Sequence, residues 1–209
     1  MSRFVIHIKD CIKRILIASV RTKARRAACF SPNGNVIIIA PHPDDEVFGC
    51  GGLIARLAAD GHAPHVIELT GGGGSHRGCC STSESEIISA RRELTHKAMS
   101  ALGLPEWHLH ELNFTDGNIG EGNPEEKKKL VALILEIKPD VILVPHHGDG
   151  WPDHLAAREL GIELAGDDLE VYEYCVWMWY YRQKNLDWQN GYVLKMSQAE
   201  HQKKLDAIN

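Results

Sequence analysis

An open, mostly parallel α/β sheet with helices on both faces, Rossmann-like in layout, is the fold this 209-residue chain predicts. Three observations carry that expectation. Continuous apolar runs such as Val36-Ile37-Ile38-Ile39 and Val141-Ile142-Leu143-Val144 have the pattern of strands covered on both sides. Between such runs, helix-start signals recur: Ser83 with Glu86, Asn123 with Pro124, and Ser197 with Glu200. Hydrophobic residues make up 44% and charged residues 24% of the chain, an ordinary globular balance with enough length for one sizeable core.

The elements follow in order. Residues 1–26 hold eight Lys/Arg against one acid, a charge of +7, which leaves −12 on the remainder of a chain whose net charge is −5. Within them Phe4, Val5, Ile8, Cys11, Ile12, Ile15, Leu16 and Ser19 recur at helical spacing, with Ile6 and Ile17 off the stripe. A basic amphipathic helix of this kind packs its apolar stripe on its own domain or rests on an anionic membrane surface. The first reading needs no partner and is the plainer; the second makes residues 1–26 a candidate peripheral membrane contact. Ser31-Pro32-Asn33-Gly34 is a turn, so residues 1–31 read as an extension and 32–209 as the main domain. There the sequence predicts strands over 35–40, 64–70, 107–114, 140–144 and 170–177. Helices are expected over 49–60, 83–103, 124–138, 153–165 and from Ser197 to the end. Residues 177–181 and 192–194 read as an irregular hairpin.

Composition also narrows function. A net charge of −5 gives no reason to expect a nucleic-acid partner. No apolar run approaches the roughly 20 residues of a membrane span, and residues 15–20 are too short for a signal-peptide core. The six cysteines include no CxxC pair and read as reduced thiols of a cytoplasmic protein. For adjacent Cys79-Cys80 a redox or metal role is the lesser reading.

The chemistry concentrates after the first predicted strand, at His42-Pro43-Asp44-Asp45-Glu46. Three successive acids need partners or a metal if buried, and the imidazole beside them is a ligand of the other common type. His42 and Asp45 are close enough in sequence to face one ion. The fourth predicted strand leads into a second cluster from His146 to His154, which includes His147 and Asp153. Strands one and four are neighbours at the switch point of a doubly wound sheet, where ligands bind past the strand ends. Each cluster alone has a plain alternative, a capped turn or a helix cap at Asp153. Two together favour a site.

These residues carry a resemblance. Pro41-His42-Pro43-Asp44-Asp45-Glu46 with Gly49, Gly51 and Gly52 resembles the first motif of the PIG-L/LmbE-like zinc-dependent N-deacetylases, and Pro152-Asp153-His154 is similar to the end of their second motif. Residues 112–117 and Arg91-Arg92-Glu93 fit weaker patterns of the same family. The resemblance covers about residues 35–207, and family members commonly continue a little beyond the last helix. It implies that His42, Asp45 and His154 hold Zn2+, that Asp44 is the general base, and that the substrate is an acetylated amino sugar. Fe2+ suits two histidines and an aspartate as well. Asp116 matches a position that binds sugar hydroxyls, and Trp177, Trp179, Tyr180 and Tyr181 are candidates for stacking on a sugar ring. A lipid-linked sugar would place the enzyme at the inner membrane surface.

Trp151 departs from the pattern. The family usually has an oxyanion-stabilising histidine there, oriented by the aspartate two positions on. Three readings follow: the metal suffices, His146 or His147 substitutes, or the chain binds without turnover. In each of them Asp153 loses its orienting partner, leaving it to cap a helix or hold a neighbour.

Overall fold

The computed structural model describes residues 14–15, 17–120, 123–177 and 187–209. After β1 (Ala28–Cys29), the apolar runs form a five-stranded sheet from β2 (Val36–Ala40), β3 (His65–Thr70), β4 (Leu109–Phe114), β5 (Val141–Pro145) and β6 (Glu170–Tyr174). Helices α1 (Asp45–Ala59), α2 (Glu84–Leu102), α3 (Pro124–Ile137) and α4 (Pro152–Ala165) connect them. β7 (Tyr192–Val193) and α5 (Gln198–Ile208) follow. The strands lie in the order β4-β3-β2-β5-β6, all parallel. The order reverses between β2 and β5, so the predicted neighbours are paired at the switch point.

Alternation along β2 sets the two layers. Val36 and Ile38 face a core with Leu53, Ile54, Met99 and Leu102 of α1 and α2. Ile37 and Ile39 face the opposite core with Leu130, Ile134 and Ala157 of α3 and α4. A strand buried on both faces has no polar side, which is why its sequence shows no alternation. The helix-start signals act as expected: Ser83 with Glu86 and Ser197 with Glu200 form reciprocal capping boxes, and the Asn123 side chain accepts from the Glu125 N–H. Arg56 of α1 grips Glu200 of α5 with two bonds of 2.8 Å, fastening the last helix to the first layer.

Three boundaries differ from expectation by two residues or more. Helix α1 begins at Asp45, four residues ahead of 49, because Gly49 and Gly52 are packing positions inside a helix rather than loop residues. A Cβ on Gly49 would meet the Tyr174 ring at 2.2 Å, and one on Gly52 the Met196 sulfur at 2.3 Å. The turn Glu106–His108 precedes β4, and β6 ends at Tyr174, short of 177. The first arm of the hairpin expected from 177–181 and 192–194 lies outside the described residues from 178 on, and the second arm is β7, which pairs in parallel with β1. Trp179, Tyr180 and Tyr181 lie outside the described residues.

Most of the predicted leading stripe also lies outside them. Residues 17–24 are helical, and Ile15 and Ile17 are 64% and 37% exposed. Just ahead of the Ser31 turn, Phe30 packs edge-on against Tyr172 and Tyr192. No described helix is long and apolar enough to cross a membrane.

Candidate metal centre

Strand β2 ends at Ala40, and the turn after it is held by Thr70, whose N–H and hydroxyl both donate to the Pro41 carbonyl. The chain then reaches Asp44 with φ 106°, a left-handed conformation that few non-glycine residues adopt. Such backbone costs about 1–3 kcal/mol and persists where its surroundings fix it. Here the Asp44 N–H donates to Glu46 Oε2 at 3.1 Å, and Glu46 is fully buried. The strained residue puts Asp45 in the first turn of α1 with its carboxylate inward and leaves the Asp44 side chain 54% exposed.

Asp45 Oδ2 lies 3.3 Å from His42 Nδ1 and 3.3 Å from His154 Nε2. With metal–nitrogen distances near 2.0–2.1 Å and metal–oxygen near 2.0–2.2 Å, tetrahedral coordination of zinc separates such donors by about 3.4 Å. The outer nitrogens are anchored separately. His154 Nδ1 is 3.2 Å from Asp149 Oδ2, and His42 Nε2 is 3.2 Å from both Asp116 and Asp153. Protons on those outer nitrogens turn His42 Nδ1 and His154 Nε2 into lone-pair donors facing Asp45, the usual outer support of a metal-binding histidine. The set His42, Asp45 and His154 therefore fits one divalent ion.

The electrostatics have the same direction. Burial opposes charge on His42, yet hydrogen bonds to Asp116, Asp153 and Asp45 hold its pKa up at about 11. Burial likewise opposes charge on His154, and Asp149 and Asp45 raise it to about 9. Asp45 is pushed up by burial but held at about 2 by His154 and His42. Carboxylates outnumber imidazoles here, so the centre favours positive charge. Asp44 differs: partial loss of water around its half-exposed carboxylate, and the adjacent Asp45 charge, raise it to about 6, against Arg91. Arg91 reaches Asp44 Oδ2 at 2.9 Å and the carbonyls of Pro43 and Gly72 at 2.6 and 3.2 Å.

The remaining predicted residues divide. Asp153 neither caps α4, whose N-cap is Trp151, nor stands idle: its carboxylate accepts from the Gly117 N–H at 2.7 Å and contacts His42. Asp116 is engaged rather than open, with Oδ2 accepting the Gly74 N–H at 2.6 Å and Oδ1 beside His42. His146 and His147 are gathered on Glu173, at 3.7 and 2.7 Å, and the Gly148 N–H donates to His146 Nδ1. Trp151 and Trp177 meet edge-on with ring centroids 6.0 Å apart. Asp149, fully buried, escaped sequence reading; its only signal was its place in the second cluster, five residues before His154.

Behind the centre lie Glu46 and Glu68, each with one buried oxygen that has no partner among the described residues. Burial and then the Glu68 charge push Glu46 well above the usual range, and burial raises Glu68 to about 8. Glu68 therefore gains a proton on folding between its unfolded pKa and about 8, and its contribution to stability declines as pH rises through that window. Glu68→Gln removes the dependence. Its melting temperature is expected to exceed wild type by more at pH about 9 than at pH about 5, measured by thermal denaturation across pH.

A doubly wound α/β protein with a two-histidine, one-carboxylate centre at its switch point is the class that this fold and site define. The chain belongs to the PIG-L family, described as GlcNAc-PI de-N-acetylase, whose model matches residues 37–165. It is 33% identical over 140 residues to the diacetylchitobiose deacetylase of Thermococcus kodakarensis, covering 65% of this chain and 51% of that protein. It is 29% identical over 159 residues to the 1D-myo-inositol 2-acetamido-2-deoxy-alpha-D-glucopyranoside deacetylase of Rhodococcus opacus, covering 64% and 54%. The chain thus spans about half the length of these curated relatives. The N,N'-diacetylchitobiose deacetylase structure from Pyrococcus horikoshii has the same fold, with a TM-score of 0.65 at 20% identity over 99% of this chain and 78% of that one.

Proposed function

We propose that the protein hydrolyses the acetamide of an N-acetylglucosamine-type sugar, free or carried on a lipid or glycan. The observation that carries this is the pairing of the His42–Asp45–His154 donor set, in which Asp45 and His154 are buried and His42 is half-buried, with an exposed carboxylate outside it, Asp44, one residue away. Bound Zn2+, or Fe2+, supplies a Lewis acid that polarises the amide carbonyl and acidifies water. Asp44, ionised and aimed by Arg91, takes the proton of the attacking water. As the C–N bond breaks and acetate leaves, Asp44 returns that proton to the amine nitrogen. Asp116 and Asp153 hold His42, Asp149 holds His154, and the Trp151–Trp177 pair offers an apolar surface to a sugar ring. The sugar deacetylases among its relatives support this substrate class.

The test is acetate release from N-acetylglucosamine, N,N'-diacetylchitobiose and an N-acetylglucosaminyl inositol, with and without a chelator. Chelator-sensitive release is expected from at least one. A protein that binds metal stoichiometrically yet releases none would overturn the reading. It would favour the alternative that Trp151 itself suggests, a metal- and sugar-binding homologue without turnover. Indole cannot become a cation or shuttle a proton, and an oxyanion donor is typically worth about 10²–10³ in rate. Trp151→His is therefore expected to raise kcat, by up to about 10²–10³, while loss of the indole surface raises KM, in steady-state assays.

For location, the exposed Ile15, on the apolar stripe of a basic helical segment, supports contact with an anionic membrane surface. Flotation with anionic liposomes is expected to carry the full chain and to lose it when residues 1–30 are deleted; equal flotation would sink the idea.

A further inference from the structure

Away from the centre, three donors meet on the loop that follows β3. His76 closes the 3-10 turn Gly73–His76, and the chain bends back so that the Cys79 N–H donates to the His76 carbonyl at 3.2 Å. Cys79 Sγ and Cys80 Sγ then stand 3.6 and 3.5 Å from His76 Nδ1. All three donor atoms lie within 4.8 Å of one another, on exposed side chains, and both cysteines are free thiols. With Zn–N near 2.0–2.1 Å and Zn–S near 2.3 Å, tetrahedral coordination sets nitrogen and sulfur about 3.6 Å apart. The loop already has that spacing.

We propose that His76, Cys79 and Cys80 form a second metal site, separate from the His42–Asp45–His154 centre, for a thiophilic divalent ion such as Zn2+. Two sulfurs and one imidazole select zinc over magnesium or calcium, which prefer oxygen. Three protein ligands leave the fourth position to solvent. Binding releases the two thiol protons to bulk water. The position also matters. Two residues before His76, the Gly74 N–H holds Asp116, which in turn contacts His42. An ion here stiffens the loop that forms one wall of the main centre.

The main centre has no sulfur ligand, so the two sites are separable by spectroscopy. Cobalt(II) added to the reduced full-length chain is expected to give a thiolate-to-cobalt charge-transfer band in the near ultraviolet. Cys79→Ser/Cys80→Ser should lose that band and bind one fewer zinc per chain. In the unaltered protein, zinc at about ten times its dissociation constant should slow alkylation of Cys79 and Cys80 about tenfold, by mass spectrometry, without slowing that of exposed Cys29. Absence of the band in the wild type, its persistence in the double variant, or alkylation indifferent to zinc would each overturn the assignment.

Discussion

Asp44→Asn is expected to lower kcat for deacetylation by about 10²–10⁴ while leaving the metal content unchanged. The amide keeps the shape of the carboxylate and an oxygen for Arg91, but it cannot take a proton from water. Asp44 is outside the donor set formed by His42, Asp45 and His154, so the ion should stay. Turnover above about a tenth of wild type would remove Asp44 from proton transfer, since general bases are worth far more than that. The pH profile gives an independent reading. Asp44 works ionised, so activity falls as pH drops through its pKa, at or below about 6 because a bound cation further favours the carboxylate. Arg91→Met removes a positive charge and should move that acid limb to higher pH.

His154→Ala should have the next largest effect, with loss of stoichiometric metal and of activity together, read by elemental analysis and acetate release. One ligand of three disappears, and Asp45 and Asp149 lose a shared partner while remaining almost wholly buried. Breaking a buried ionic arrangement on one side costs about 3–5 kcal/mol, so the variant should also unfold at lower denaturant. Asp149→Asn separates the two consequences. It keeps all three ligands and weakens the outer hold on His154, together with the bonds that the Asp149 carboxylate accepts from the Val176 and Trp177 N–H groups, and about 10- to 100-fold in metal affinity is expected. An affinity equal to wild type would mean that packing alone orients His154.

Much of this was legible before folding. Continuous apolar runs marked the doubly covered strands, and capping boxes marked α2 and α5, because both signals are local in sequence. The turn at 41–46 stood out because successive acids after a buried strand need compensation. Helix α1 was misread at its start, since glycines are locally loop-like and only the nearness of Tyr174 and Met196 explains them inside a helix. The pairing of the short β7 with β1 went unread because the two are more than 160 residues apart. His146 and His147 gave no sign of their attachment to Glu173, which β6 brings alongside β5.

By itself, the sequence determined the layered parallel sheet, the acid-and-imidazole character of both clusters, and the family to which they belong. These depend on residue type and spacing over a few turns. Tertiary structure decided the rest. It set the 3.3 Å spacing of Asp45 from both imidazoles, placed Asp149 behind His154, and put Asp116 and Asp153 together on His42. It also brought His76 to the two thiols. Such contacts depend on where strand ends and loops meet in space, and a linear pattern carries no record of that.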